Sequence, residues 1–464
     1  MEFGIFIFFM SSLLIKDATL VTSANTEKVD VLIRDGLIDQ LAFHDSPSYA
    51  LPSVSDDPVH EVVEAEGMLL FPGLIDNHVH FREPGLTHKA TMKSEAAAAV
   101  AGGVTTVCEM PNTIPPTVTV AALADKIRRA SEVTECDIRF FFGVTEEIHL
   151  ATLREILAGG NAELERLRSR LAGVKIYLDH STGNQKIADE LIGDVFKTCA
   201  EHGFPLVAHC EDPQLNKEAA EKYKDDESIT PTVARHSFMR PAQAEAKAIE
   251  YAIGMAKEHG TPLHIAHLST SEGIELVRRA KADGISVTCE VAPHHLFFTT
   301  DDYKRLGTLV KMNPPIRTVD HVEALWKGIE DGTVDCIATD HAPHTLEEKT
   351  ETEPLKAPSG VPGVETMLSL LLTVAGGGNP RSDESITYYV VRIMDIFKLC
   401  FENPNRIFGL GKTGIVEGAA ANMVLVDPHA QWTIEGKNLH SLCKWTPYEN
   451  WQVTGRVVRI FYAY

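Results

Sequence analysis

The chain has 464 residues, 44% of them apolar, enough to bury a large core, so disorder is not its general state. Lys and Arg total 43 against 65 Asp and Glu, a formal charge of −22, which repels phosphate backbones and anionic membrane surfaces and argues against nucleic-acid or membrane partners. The eight cysteines are scattered with no C-x-x-C pair, a usage that suits a reducing cytoplasm better than a secreted, disulfide-stapled framework.

The opening MEFGIFIFFM is apolar, but it lacks the positive flank and small-residue cleavage site of a signal peptide and is too short to span a bilayer. Met10 begins a plausible strand, so the first nine residues read as an extension of little consequence. Strand signals follow in LLIKDATLV and in VDVLIRDGLIDQLAF, where Asp35-Gly36 marks a hairpin turn. The polar, Pro-containing HDSPSYALPSVSDDP reads as loop. Near the other end, GIVEGAAANMVLVD and GRVVRIFYAY are again strand and turn. Residues 10–67 and 406–464 are thus expected to form one small β-sandwich domain built from both chain termini.

Between them, residues 68–405 alternate short apolar runs with helical patterns, as parallel βα units do. The strand candidates are LLFPGLIDNHVHF, VTTVCEM, IRFFFGVT, GVKIYL, FPLVAHC, PLHIAHLS, ISVTCEVAPHH and VDCIATDHAP. Among the helical segments, IADELIGDVFKTCAEHG puts Ile187, Leu191 and Val195 on one face with Gly203 as a stop. In STSEGIELVRRAKADG, Ser269 and Glu272 have capping-box spacing. Eight such units close a (β/α)8 TIM barrel, an α/β fold whose chemistry gathers where the C-terminal strand ends meet.

Polar residues lie near those ends: His78, His80 and Arg82 on the first candidate strand, Lys175 on the fourth, His209 on the fifth, His267 on the sixth, and Asp340 with His344 on the eighth. Alternation along a strand would aim His78, His80 and Arg82 the same way. A histidine at a strand end is most often merely packed or hydrogen-bonded, and a lysine there can snorkel. Convergence of residues from different strands on one mouth favours a metal site instead, because imidazole and carboxylate are good ligands for Zn²⁺ and similar ions. Two ions fit better than one: His78, His80 and Asp340 would hold the first, and His209 and His267 the second. Lys175, repelled as a cation, would become an anionic bridge if CO₂ carboxylated it. His44, His88, His149, His202, His236, His259 and His321 read as surface or structural.

The stretches GLIDNHVHFREPG, GGVTTVCEMPNTIPPT, KIYLDH, VAHCED, HIAHLST, CEVAPHHLF, KMNPPIR, ATDHAPHTLEEK and SGVPGVETM, in this order, resemble the dihydroorotases of the amidohydrolase superfamily. Residues 286–372 are especially similar to the dihydroorotase domain of animal multifunctional pyrimidine-synthesis proteins. The resemblance implies two zinc ions bridged by carboxylated Lys175 and a hydroxide, with Asp340 as catalytic base and then acid. It implies Arg82, Asn112, Asn313 and His344 on the substrate, the backbone at Ser359-Gly360 beside it, and Arg317 as a further partner for the substrate carboxylate. Asp179 is a fallback ligand should Lys175 not serve. Glu290 matches a third-metal ligand of the animal-type domain, but Ala266 stands where the accompanying cysteine would be.

The implied reaction is reversible cyclisation of N-carbamoyl-L-aspartate to (S)-dihydroorotate with loss of water. The family often forms dimers, so the expected partners are a second copy of the chain and other pyrimidine-pathway enzymes. The alternatives are dihydropyrimidinase or hydantoinase and allantoinase, whose substrates lack the ring carboxylate and so have no need of Arg82. More remote is a catalytically inactive homologue serving as an assembly partner.

Overall fold

In the computed structural model, the described residues are 5–7, 12–51, 59–180, 185–381, 386 and 391–463. Eight parallel strands follow one another in space as in sequence: β1 Leu74–Val79, β2 Val104–Glu109, β3 Asp137–Gly143, β4 Leu171–Tyr177, β5 Leu206–His209, β6 Leu263–Ile265, β7 Val287–Val291 and β8 Cys336–Ile337. Helices lie between them, including Met92–Ala101, Val120–Ala130, Ile192–Glu201, Ala242–His259, Ser271–Ala282 and Val319–Glu330. The last strand returns to the first: Val79 bridges His341 in parallel, and His80 N–H donates to His341 O at 2.8 Å. Asp76, buried in β1, accepts from the Thr339 backbone at 3.0 Å and from its hydroxyl. This is the (β/α)8 barrel expected from the sequence.

An apolar cluster fills much of the barrel interior below the mouth. Ile75, Cys108, Met110, Phe141, Ala172, Val207 and Ala266 pack with Phe401, Phe408 and Leu410, which arrive from beyond the barrel strands. Burial of each large side chain there is worth roughly 1.5–3 kcal/mol. All eight cysteines are free, and no helix among the described residues is long and apolar enough to cross a membrane.

A second sheet joins strands from both ends of the chain, in the order Ile5–Ile7, Gln452–Tyr462, Asn422–Thr433, Leu69–Pro72, Ser12–Val21, Thr26–Arg34 and Leu37–Phe43, with Glu61–Glu64 also paired to Ser12–Val21. Its own core includes Leu13, Ile15, Val31, Ile33, Met423, Leu425 and Phe461. Asp35 and Gly36 both have positive φ, 48° and 78°, as a tight hairpin turn requires.

Three local expectations change. The backbone of Ile5–Ile7 pairs in parallel with Ile460–Tyr462, so this part of the opening segment extends the sheet rather than standing apart from it. The first candidate barrel strand is two strands: Leu69–Pro72 belongs to the terminal sheet and Leu74–Val79 to the barrel. Gly73 makes the crossing, and a Cβ there would meet Thr105 Oγ1 at 2.0 Å and Asn422 Oδ1 at 2.2 Å, so only glycine lets the two sheets approach so closely. The cap of helix Ser271–Ala282 is Thr270, whose side chain accepts from Gly273 N–H. Ser269 is taken instead by buried Glu245, which accepts its N–H at 2.8 Å.

Candidate active site

At the C-terminal ends of the strands, His78 Nε2 and His80 Nε2 lie 3.4 and 3.0 Å from the same oxygen of Asp340. One ligand atom from each of the three residues falls within 4.8 Å of the others. Across the mouth, His209 Nδ1 is 3.0 Å from His267 Nε2, and the rings of His78 and His267 are 5.2 Å apart between centroids. Lys175 on β4 is buried and does not itself line the cleft; its Nζ lies 5.0 Å from the centre of the Tyr177 ring, and its charge is felt by Glu290 and Asp340.

Burial sets the protonation states. It drives the His80 imidazolium down to about 4 and depresses His209 and His267 as well, so these rings are neutral at pH 7, the form that binds cations. Burial also lowers the Lys175 ammonium to about 8, against the opposing pull of Glu290 and Asp340. For Asp340, burial would raise the carboxyl, but the imidazoles of His78 and His80 outweigh it and hold the group well below the usual carboxylate range.

The buried atoms here without a hydrogen-bond partner include Lys175 Nζ and His267 Nδ1, an arrangement that ordinarily carries a desolvation penalty. Neutral imidazoles gathered with an ionised carboxylate and orphaned nitrogens fit divalent metal binding.

The outer contacts orient these groups. Glu290 on β7 is buried, and its Oε1 contacts His78 Nδ1 and accepts His267 N–H at 3.1 Å. Its Oε2 takes Asn77 Nδ2 and lies 3.1 Å from His264 Nε2. With Nδ1 of His78 engaged, Nε2 is left to face Asp340. Asn112 Oδ1 does the same for His80 Nδ1, at 2.7 Å. Glu211 Oε2 lies 2.7 Å from His209 Nε2 and is itself clamped by Arg240. Ala266 offers no donor beside His267, and both Glu290 oxygens are already engaged.

The cleft at these residues is lined also by Arg82, Asn112, Tyr177, Asn313, Ser359 and Gly360. Arg82 does not reach it by strand alternation, because β1 ends at Val79. It is turned in by a left-handed backbone, φ 65°, and held by Nε donating to Pro343 O at 3.0 Å. His344 stands behind it, its Nε2 3.1 Å from the Arg82 guanidinium and 3.0 Å from Ser359 O. Buried Lys349 supports the Ser359-Gly360 loop by donating to Pro358 O and Gly360 O, each at 3.0 Å. Gly360 has φ 134°, and a Cβ there would lie 2.7 Å from Ala342 O.

Two expected residues are placed elsewhere. Arg317 is spent on buried Glu245 at 3.3 Å and on Ser269 Oγ at 3.1 Å, so its guanidinium braces the scaffold and does not line the cleft. Asp179 accepts from Asn216 at 2.7 Å and from His180 N–H at 2.6 Å, outside the cleft lining. Ser181 and Thr182 fall outside the described residues. Conversely, His236, read as structural, does lie beside the site: its Nε2 is 2.9 Å from Asn313 Oδ1. Tyr177 and Lys349 also belong to the site and are not among the residues expected from sequence. Tyr177 carried a signal, since it stands two residues after Lys175 on one strand and shares its face; Lys349 carried none.

Residues 69–460 match the amidohydrolase family. This chain belongs to that family. Within it, the chain groups with the dihydroorotases: it is 39% identical over 421 residues to the dihydroorotase of Halobacterium salinarum, covering 90% of this chain and 91% of that protein. It is also 34% identical over 418 residues to multifunctional protein CAD of Squalus acanthias, covering 89% of this chain but 16% of that protein, so a domain of this kind occurs within a larger multifunctional chain. Among solved structures, L-hydantoinase (dihydropyrimidinase) from Arthrobacter aurescens superposes with TM-score 0.84 at 26% identity, covering 97% of this chain and 95% of that one. The chain is a metal-dependent hydrolase of cyclic amides.

The contacts of Glu290 generate a prediction. Glu290→Gln keeps the shape but replaces one acceptor by a donor between His78 and His264. Metal affinity should fall about 10–100-fold, measured by competition with a chelator, while the far-ultraviolet circular dichroism stays unchanged.

Proposed function

We propose that the chain is a dihydroorotase, interconverting N-carbamoyl-L-aspartate and (S)-dihydroorotate in pyrimidine synthesis with two zinc ions. His78, His80 and Asp340 would hold one ion, and His209 and His267 the other, with carboxylated Lys175 between them. When bound, such ions polarise the ring amide and lower the pKa of the attacking water toward neutrality. Asp340, kept ionised by its histidine neighbours, accepts a proton from that water and returns it to the departing ring nitrogen, acting as base and then acid. In the synthetic direction the same group moves the proton the other way.

The observation that carries this reading is a buried guanidinium, Arg82, in the same cleft as the imidazole and carboxylate cluster. A planar fork suits the substrate carboxylate that takes no part in the chemistry. Asn112 and Asn313 flank the cleft with amide groups. His344 supports Arg82 from behind, so its contribution is to position the guanidinium. A hydantoinase or dihydropyrimidinase would share the scaffold, but its substrate has no ring carboxylate to pair with that guanidinium.

The surroundings of Lys175 support its carboxylation. An amine held near 8 offers a free lone pair far more readily than an ordinary lysine. The ammonium first releases a proton; the pair of the neutral amine then forms an N–C bond to CO₂ as one C=O π pair moves onto oxygen, and a second N–H proton leaves, giving a carbamate anion suited to a site between two metal ions.

Purified protein should open dihydroorotate, and chelation should abolish the activity; turnover of dihydrouracil with none of dihydroorotate would refute the assignment. Arg82→Met should lower kcat/KM for dihydroorotate about 10–150-fold, the loss of a charge-assisted bond of roughly 1.5–3 kcal/mol, with metal content unchanged in elemental analysis. Electron density at high resolution should show Lys175 extended by a carboxyl group; a bare amine in a metal-loaded site would rule out the bridge.

A further inference from the structure

Tyr177 lines the cleft together with Arg82, Asn112 and Asn313, and none of the functions above uses it. It is the last residue of β4, two positions beyond Lys175 and so on the same face of the strand. In the register of the barrel it sits opposite His209, the last residue of β5. Its ring is packed on two sides, with the His209 ring at 5.6 Å between centroids and Lys175 Nζ at 5.0 Å from its centre. The side chain is 5% exposed, yet its hydroxyl has no hydrogen-bond partner. The other hydroxyl in the lining, Ser359 Oγ, is engaged with Asn313 Oδ1 at 3.1 Å.

A buried phenol normally finds a partner, because leaving one unmet carries a penalty. Tyr177 belongs to the cleft lining, its ring is held between His209 and Lys175, and a substrate in the cleft would supply the acceptor that its hydroxyl lacks. The cleft already holds a cation for a carboxylate and amides for ring groups. Tyr177 adds a neutral hydroxyl donor on the β4–β5 side of that cleft, beside His209 and Lys175.

We propose that Tyr177 is a catalytic hydrogen-bond donor, its O–H directed to the oxygen of the ring amide carbonyl under attack. This rests on the dihydroorotase reading. As the water oxygen bonds to the carbonyl carbon, the π pair moves onto that oxygen and its negative charge grows. The phenol proton stays on Tyr177 throughout, and its hydrogen bond strengthens with the charge. The C–N bond then breaks, the pair returns to re-form the carbonyl, and the nitrogen takes its proton from Asp340. A donor placed where charge develops acts on the transition state more than on the bound substrate.

Tyr177→Phe removes the hydroxyl and leaves the packed ring. No existing hydrogen bond is lost, so the thermal midpoint and metal content should match the wild type. The kcat for ring opening of dihydroorotate should fall about 10²–10³-fold with little change in KM. Unchanged kcat, a change confined to KM, or loss of metal from the variant would each overturn the proposal. Wild-type protein assayed alongside separates the two questions: an inactive wild type refutes the dihydroorotase reading, whereas an active wild type with an equally active variant refutes only the role of Tyr177.

Discussion

The seam between β8 and β1 is the constraint on which the site depends. Asp76 and Thr339 are 263 residues apart in sequence yet share hydrogen bonds inside the barrel. Further toward the mouth, the His80 backbone donates to His341 O. These bonds fix the height of β8 against β1, and so bring Asp340 Oδ1 to His78 Nε2 and His80 Nε2. Parallel strands need crossovers and long loop closure before they gain any pairing. The buried carboxylate of Asp76, which burial pushes up to about 6, makes that closure specific: slipping β8 by one residue would strand it without its donors.

Electrostatics at the mouth follow from dryness rather than from overall charge. A chain of net charge −22 carries a buried Arg82, two further buried lysines at Lys175 and Lys349, and a set of histidines that desolvation keeps neutral. Long-range repulsion of an anionic substrate is screened over about 8–10 Å by salt. Inside the cleft, a guanidinium in low dielectric attracts a carboxylate at close range. The acidic surface and the anion-binding cleft are therefore compatible.

Backbone strain is concentrated where the chemistry is. Among the described residues, seven non-glycine positions have positive φ, and three of them, Arg82, His267 and Asp340, line the cleft. Each costs on the order of 1–3 kcal/mol and persists because its neighbours over-determine it: Pro343 O for Arg82, Glu290 for the His267 backbone, and the β8–β1 seam for Asp340. All three lie just beyond a strand end, where the chain must leave the ladder and still face inward.

Much of this was legible without coordinates. The eight apolar runs spelled the barrel because a parallel sheet covered on both faces needs continuous hydrophobic strands, and the strand-end histidines and Asp340 marked its mouth because the fold gathers those ends. The sequence by itself determined which chemistry was present: imidazoles, a carboxylate, a lysine and a guanidinium. Only the tertiary structure decided how they are used. Arg317 looked like Arg82 in sequence but met Glu245, and Asp179 met Asn216. Glu290, in contrast, proved to brace His78, His264 and His267 together. Ion pairs and hydrogen bonds form between residues far apart in the chain, and their energies fall away within a few ångströms. Local pattern can therefore name a charged group, but only the packed fold chooses its partner.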